Sequence, residues 1–363
     1  MATLERREQT PGKVSYRVRW WADGKQRSKS FKTHSDARRW KAVLEGDLVN
    51  GSYVDPKHGQ TTLSAFSQGA LDSLTLRVRP TTATQIRGVY RVHVAPEFGF
   101  LPLTAITGAG VSAWVVRKSG ETSPATVRKA FFVLNRMMRL AVEHGLIKAN
   151  PAASVELPAE HRNEQRFITQ AEALTLADTI APRFKAMVLV AVFGGLRFGE
   201  LGGLQRKHVN PMKNTVTVKQ TLIEIGGRYA FGPPKTKTSL RTVTLPRSVM
   251  VALTEHMDTY TGAEPDALVF TGDRGNPVLR SWFHRHYYQP ATAKAGLSGL
   301  RFHDLRHTFV ALWVSLGRNP KEVSKAAGHS SVAFTLDRYG HLYETDDDGL
   351  ADQLDALLQA DQS

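Results

Sequence analysis

The spacing of apolar residues changes period along this chain, and no single layer of structure satisfies all of it. Near the N-terminus Val14, Tyr16, Val18 and Trp20 alternate with Ser15, Arg17, Arg19 and Trp21. That is the period-two pattern of a strand with one buried face. Asp23-Gly24 is a hairpin signal, and Gln26 to Phe31 reads as the returning strand. Ser35 is placed to cap a helix with Trp40, Leu44 and Leu48 on its apolar face. Further on, Val127, Phe131, Leu134, Met138 and Ala141 recur at helical spacing. Ser123 caps that helix, Pro124 takes its first position and Gly145 ends it. Alternation returns at Thr215 to Thr221 and at Arg241 to Leu245. A small β module, a helical region and a mixed region each need a core of their own.

Proline and glycine mark the seams. Gly51, Pro56 and Gly59 read as one linker, and Asn150-Pro151 to Pro158 as a second. The expected division is 1–55, 61–155, 164–345 and a tail, 346–363. The tail carries Leu350, Leu354, Leu357 and Leu358, one stripe of a short helix. In the second segment further helices run from Thr81 to about His93 and from Thr107 to about Lys118. In the third, Thr169 to Glu172 is a capping box, and an apolar helix from Phe184 to Phe193 stops at Gly194-Gly195. Helices resume near Arg247 and Leu279, and His303 starts another that runs through Leu316. The expected fold class is multidomain α+β.

With 363 residues, 41% hydrophobic, the chain can bury several cores. Its net charge of +15 favours a polyanionic partner, nucleic acid before an anionic membrane surface. Between Lys13 and Lys41 ten Lys/Arg face two acids, Asp23 and Asp36. Arg17, Arg19, Lys25, Arg27 and Lys29 would stud one hairpin, and a basic ribbon fits the major groove. A merely solvated hairpin is the plain alternative. Arg128, Lys129, Arg136 and Arg139 flank the stripe of the 124 helix, either gripping phosphates or facing water. There is no cysteine, which excludes disulfides and thiolate metal sites. No apolar stretch at the N-terminus resembles a signal peptide, and no run is long enough to span a membrane. A soluble cytoplasmic protein is expected.

Four short boxes carry chemistry. They are Gly195-Leu196-Arg197-Phe198-Gly199-Glu200-Leu201, His303-Asp304-Leu305-Arg306-His307-Thr308, Gly328-His329, and Tyr339 ten residues after that pair. Breaking a phosphodiester needs a nucleophile, cations on the non-bridging oxygens and an acid for the leaving oxygen. Arginine forks match phosphate oxygens in pairs. Histidine moves protons near neutral pH. A phenol, with a reference pKa of about 10, attacks only beside such groups. Taken singly, each box has an ordinary structural reading. Their joint order, in the last half of a basic chain, does not.

These boxes resemble the tyrosine recombinases, the phage-integrase family, and the likeness covers most of the chain. It implies a catalytic domain at 164–345, mainly helical with a small β-sheet, and an all-helical core-site DNA-binding domain before it. It implies an N-terminal arm-site module, a three-stranded sheet plus a helix, as in phage and conjugative-element integrases. By matched motif, Arg197 and Arg306 would clamp the scissile phosphate and Tyr339 would attack it, leaving a 3′-phosphotyrosine. His303 would accept or shuttle the tyrosine proton, and His329 would donate to a phosphate oxygen. Lys235, with Lys237 as the other choice of register, would protonate the 5′-oxygen. Glu200 would orient the pocket. The segment Leu204-Gln205-Arg206-Lys207-His208 departs from the family's usual aromatic and acid. Tyr343 is a second tyrosine, but the Gly-His spacing favours Tyr339.

The resemblance implies a site-specific recombinase that integrates and excises a mobile element such as a prophage, in a bacterial cytoplasm on the nucleoid. Its partners would be double-stranded DNA with core-type and arm-type sites, and three further copies of itself. A directionality factor and a host DNA-bending protein are open. No metal, cofactor or ATP is expected. Three rivals remain: a catalytically silent DNA-binding protein on the same fold, a topoisomerase-like enzyme that nicks and reseals one strand, and a metal-dependent nuclease or transposase.

Overall fold

In the computed structural model the alternation at 14–20 becomes the middle strand of an antiparallel sheet, ordered β1 (Thr3–Thr10), β2 (Lys13–Ala22), β3 (Lys25–Phe31). The structure describes residues 2–10, 13–22, 24–50, 53–54, 58–159, 165–234, 237–343 and 352. Asp23, Gly51, Pro56, Lys235 and the tail leucines Leu350, Leu354, Leu357 and Leu358 lie outside the described residues. Two compact units divide the chain, Met1–Arg162 and Asn163–Ser363. The mixed, mostly helical architecture with small antiparallel sheets is the α+β class expected.

In the first unit, Val18 and Trp20 of β2 are buried with Ala37 and Leu44 of α1 (His34–Val49). The cap of α1 is Thr33, not Ser35. Its hydroxyl accepts from the Asp36 amide at 3.2 Å and donates to the Asp36 carboxylate at 2.7 Å, a reciprocal pair that Ser35 cannot make. Strand β1 carries one apolar side chain, Leu4, so it has no alternation to read; cross-strand pairing holds it, with Arg19 bound to Glu5 at 3.0 Å.

A second core in the same unit is built by α2 (Leu63–Thr75), α3 (Pro80–Val89), α4 (Ala95–Phe98), α5 (Gly108–Glu121) and α6 (Pro124–Glu143). The α6 stripe is buried as its spacing requires, and Ser123 accepts from the Thr126 amide. The helix expected to stop near His93 instead runs on through a wide π-type turn, Tyr90–Val94, into α4. Pro96 explains the turn. It has no N–H for the carbonyl four residues back, and the widened turn relieves the clash.

The second unit is built around α8 (Pro182–Gly194). Its residues Phe184, Met187, Val188, Val190, Ala191 and Val192 are all buried, and α7 (Gln170–Thr179), α10 (Arg247–Tyr260) and α13 (Asp304–Ser315) pack on it. The remaining helices are α9 (Phe198–Gly202), α11 (Arg280–Phe283), α12 (Gln289–Lys294), α14 (Pro320–Ala327) and α15 (Val332–Tyr339). A π-type turn at His284–Tyr288 again precedes a proline, Pro290. One sheet orders β4 (Val209–Asn210), β5 (Thr215–Val218) and β8 (Arg241–Thr244). The strand expected to reach Thr221 stops at Val218. Gln220 turns aside to donate to the Gly203 carbonyl at 3.0 Å, and Thr221 begins a separate hairpin. That hairpin, β6 (Thr221–Ile225) with β7 (Arg228–Gly232), turns at Gly226-Gly227, both at positive φ. No described helix is long and apolar enough to cross a membrane.

Candidate active site

Two helices of the second unit end on glycines in the left-handed conformation, Gly195 after α8 (φ 64°) and Gly328 after α14 (φ 65°). Such a glycine turns the last carbonyls out of the helix direction and reverses the chain sharply. Here those carbonyls point at arginines. Arg306, near the start of α13, is buried. Its Nη1 donates to the Gly195 carbonyl at 2.5 Å and its Nη2 to the Ala327 carbonyl. Arg197 Nη2 donates to the Gly328 carbonyl at 3.0 Å. Helix C-termini carry partial negative charge, so each arginine sits where a cation is favoured.

Arg197 and Glu200 close the first box. The Glu200 carboxylate accepts from the Arg197 backbone N–H at 3.0 Å and from its Nη1 at 2.7 Å. A third arginine, Arg241 of β8, reaches the same carboxylate at 3.0 Å and donates through Nε to the Ala326 carbonyl at 2.9 Å. Burial by itself would raise the Glu200 pKa. Arg241, then Arg197 and Arg306, outweigh it and hold the carboxyl below its ordinary value. Arg306 moves the other way. Burial first, then Arg197 and Arg241, push it down to about 9, which leaves it cationic at neutral pH. Among the described residues two guanidinium groups thus bond one carboxylate, and a third, Arg306, lies within its field. Two positive charges remain over, held in place before any anion arrives.

Tyr339 closes α15 and is 1% exposed. Burial raises its pKa to about 12, against the opposing pull of Arg306 and Arg338. His307 Nδ1 lies 2.5 Å from its hydroxyl. The His329 ring stacks parallel to the Tyr339 ring at 6.0 Å, and His329 Nδ1 lies 2.8 Å from the Thr335 hydroxyl. Burial holds both imidazoles neutral, His307 pushed down to about 4 and His329 to about 3. Tyr343 contrasts with Tyr339: its hydroxyl has no hydrogen-bond partner among the described residues.

The structure therefore brings Arg197, Arg306, His329 and Tyr339 together, with Glu200 beneath the arginines. His303 lies at the rim of the same pocket, where burial, then His307, Arg306 and Arg197, push its pKa down to about 4. It caps α13, keeps part of its surface exposed, and lies near-perpendicular to the His307 ring at 4.9 Å, while His307 holds the phenol. Sequence reasoning missed His307, Arg241 and Thr335. His307 had one available signal, four residues after His303 and so on the same helical face. Arg241 had none, since a buried arginine in a short strand reads like any exposed one. Lys235 lies outside the described residues, as does the side chain of Lys237.

The five basic residues of the N-terminal sheet divide between its faces. Arg17 and Arg19 alternate away from the buried Val18 and Trp20, and β1 adds Arg7 to their face through its pairing with Ser15. Trp21 follows on that face, 65% exposed. Lys29 pairs with Val18 and Arg27 with Trp20, which puts both on the helix side. Lys29 Nζ stands 5.0 Å above the Trp40 ring. Lys25 pairs with Ala22 at the hairpin end.

Residues 161–346, just over half of the chain, match the model of the phage integrase family. Among similar proteins, a putative prophage phiRv2 integrase of Mycobacterium tuberculosis is 25% identical over 339 residues, covering 91% of this chain and 89% of that protein. The integrase of Mycobacterium phage L5 is 28% identical over 340 residues, covering 91% and 90%. Among solved structures, the Tn1549 transposon integrase in complex with a circular intermediate DNA superposes with a TM-score of 0.67 at 20% identity, over 82% of this chain and 99% of that one. A lambda integrase tetramer bound to a Holliday junction gives 0.60 at 17% identity, over 91% and 96%.

Proposed function

The chain belongs to the phage integrase family and is a site-specific DNA recombinase of the tyrosine class, and from that premise we propose how its residues divide the reaction. Tyr339 attacks the scissile phosphate and forms a 3′-phosphotyrosine, releasing a 5′-hydroxyl. Arg197 and Arg306 bind the non-bridging oxygens, and His329 donates to one of them. Lys235 protonates the leaving 5′-oxygen. Glu200 and Arg241 hold Arg197 in place and do not react. The observation that carries this reading is the pair of uncompensated guanidinium charges beside a buried phenol. A phosphodiester carries one negative charge and gains another as the nucleophile adds, so fixed cations favour the transition state over the ground state.

The partner is DNA, and two duplex sites are exchanged through a four-way junction held by four copies of the chain. Three DNA-related segments are proposed: an arm-type module at 1–55, a core-site domain at 61–155 and the catalytic domain at 164–345, with the tail 346–363 docking on a neighbouring copy. Residues Arg7, Arg17 and Arg19 on the open face of the N-terminal sheet are the arm-site contacts.

Covalent trapping tests the assignment. Purified protein is mixed, in EDTA, with nicked duplexes made from DNA flanking its own gene. The wild type is expected to yield an adduct that survives denaturant, and Tyr339→Phe none. Specific binding by both proteins without an adduct from either would move the chain to the silent binding class.

A further inference from the structure

His307 has no part in the reaction as divided above, yet it makes the shortest polar contact to the nucleophile. We propose that His307 Nδ1 takes the phenol proton of Tyr339 as the tyrosine attacks, which makes His307 a catalytic residue beside His303. The proposal rests on Tyr339 being the nucleophile.

Geometry carries it. The two atoms are 2.5 Å apart, both side chains are buried, and water does not compete for the contact. His307 follows Arg306 on α13, and Arg306 is pinned by two backbone carbonyls. The acceptor and the phosphate-binding arginine therefore share one rigid turn. The imidazole ring lies near-perpendicular to His303 at 4.9 Å and tilted against Tyr339 at 5.8 Å between centroids. An acceptor Nδ1 needs the proton on Nε2, the neutral tautomer that burial favours here.

At rest the proton belongs to the tyrosine, since the phenol is held near 12 and the imidazole near 4. Attack reverses that order, because an aryl oxygen bonding to phosphorus loses its basicity. The phenol O–H bond breaks and its proton passes to Nδ1 while the tyrosyl O–P bond forms. The P–O5′ bond breaks and O5′ gains a proton from the acid assigned to Lys235. On rejoining, the 5′-hydroxyl gives its proton back to the Lys235 amine as it attacks phosphorus, the tyrosyl O–P bond breaks, and Nδ1 returns its proton to the leaving phenolate. Asp304 on the same turn favours the transient imidazolium, while Arg306, Arg301 and Arg338 oppose it and make it short-lived.

The test is single-turnover cleavage of a nicked duplex by wild type, His307→Ala, His307→Asn and Tyr339→Phe. It is repeated on a duplex with a sulfur in place of the bridging 5′-oxygen, whose thiolate leaves without protonation. Asparagine keeps an acceptor near the phenol but holds no proton. Both His307 variants are expected to form adduct about 100-fold or more slowly, to bind DNA as wild type does, and to stay slow on the sulfur substrate. Where His307→Ala loses DNA binding, His307→Asn decides. Wild-type rate in His307→Asn would reduce His307 to holding the ring and overturn the transfer. Faster cleavage by either variant would mean that His307 stows the tyrosine. Rescue by the sulfur substrate would place His307 on the leaving group. An adduct from Tyr339→Phe would instead sink the nucleophile assignment and leave His307 aside.

Discussion

Each buried histidine of this pocket is useful only in one tautomer, and a neighbour chooses it. For His329 Nε2 to donate to a phosphate oxygen, Nδ1 must accept. The Thr335 hydroxyl, 2.8 Å away and fully buried, is the donor that arrangement requires. Thr335→Val keeps the shape and removes the donor. The orphaned Nδ1 costs about 1–3 kcal/mol of stability, and its proton is free to sit on the wrong nitrogen. Adduct formation is expected to fall roughly tenfold or more while DNA affinity holds, in line with what loss of a tautomer-fixing partner does in a catalytic triad. Single-turnover cleavage beside a binding titration checks this. Unchanged cleavage would show that His329 needs no fixed tautomer.

At the scale of elements, the site depends on where two helices stop. Gly195 and Gly145 share nearly the same backbone conformation, φ 64° and 65°, but differ in surroundings. A Cβ on Gly145 meets nothing within 4 Å, whereas one on Gly195 overlaps the buried Phe309 ring. Gly145→Ala should cost about 1 kcal/mol, the backbone preference alone. Gly195→Ala should cost about 2–5 kcal/mol, since overpacking adds to it, and it should also displace the carbonyl that Arg306 uses. Urea titrations of the two variants compare them directly. Equal losses would mean that the Gly195 carbonyl is not a rigid anchor. This contrast is only half legible in sequence. Periodicity and caps expose α6, α8 and α13, because an apolar stripe is a local property. The boxes expose Arg197, Arg306, His329 and Tyr339 by order alone. Strand β1, with Leu4 as its one apolar residue, and the burial of Arg241 and His307 are products of tertiary contact, which no local pattern records. The Gly226-Gly227 turn is a local signal too, but it follows an alternating run that reads as one longer strand and hides the hairpin.

Across the whole molecule, a net charge of +15 sets attraction to DNA but not where DNA is held. The two faces of the N-terminal sheet give that question a measurable form. Arg7, Arg17 and Arg19 share the face turned from α1, beside an exposed Trp21, while Lys29 lies over Trp40. Each phosphate that a cation neutralises releases condensed counterions, so the slope of log affinity against log salt falls by about 0.9 for every phosphate left unneutralised. Replacing Arg7, Arg17 and Arg19 by alanine should therefore flatten the slope for a duplex carrying the arm-type site by roughly 2 to 3. Lys29→Ala removes a charge of the same sign, but its ammonium is spent on an aromatic face. It should leave the slope near that of wild type and lower the thermal stability of the sheet instead, by about 0.5–1 kcal/mol. Fluorescence titrations over a range of salt, with a melting curve for each variant, separate the two. A flattening of about 0.9 with Lys29→Ala, with little from the three arginines, would mean that DNA meets the edge of the sheet and not its open face, and the basic ribbon would then have to be redrawn with Lys25, Arg27 and Lys29 as its contacts.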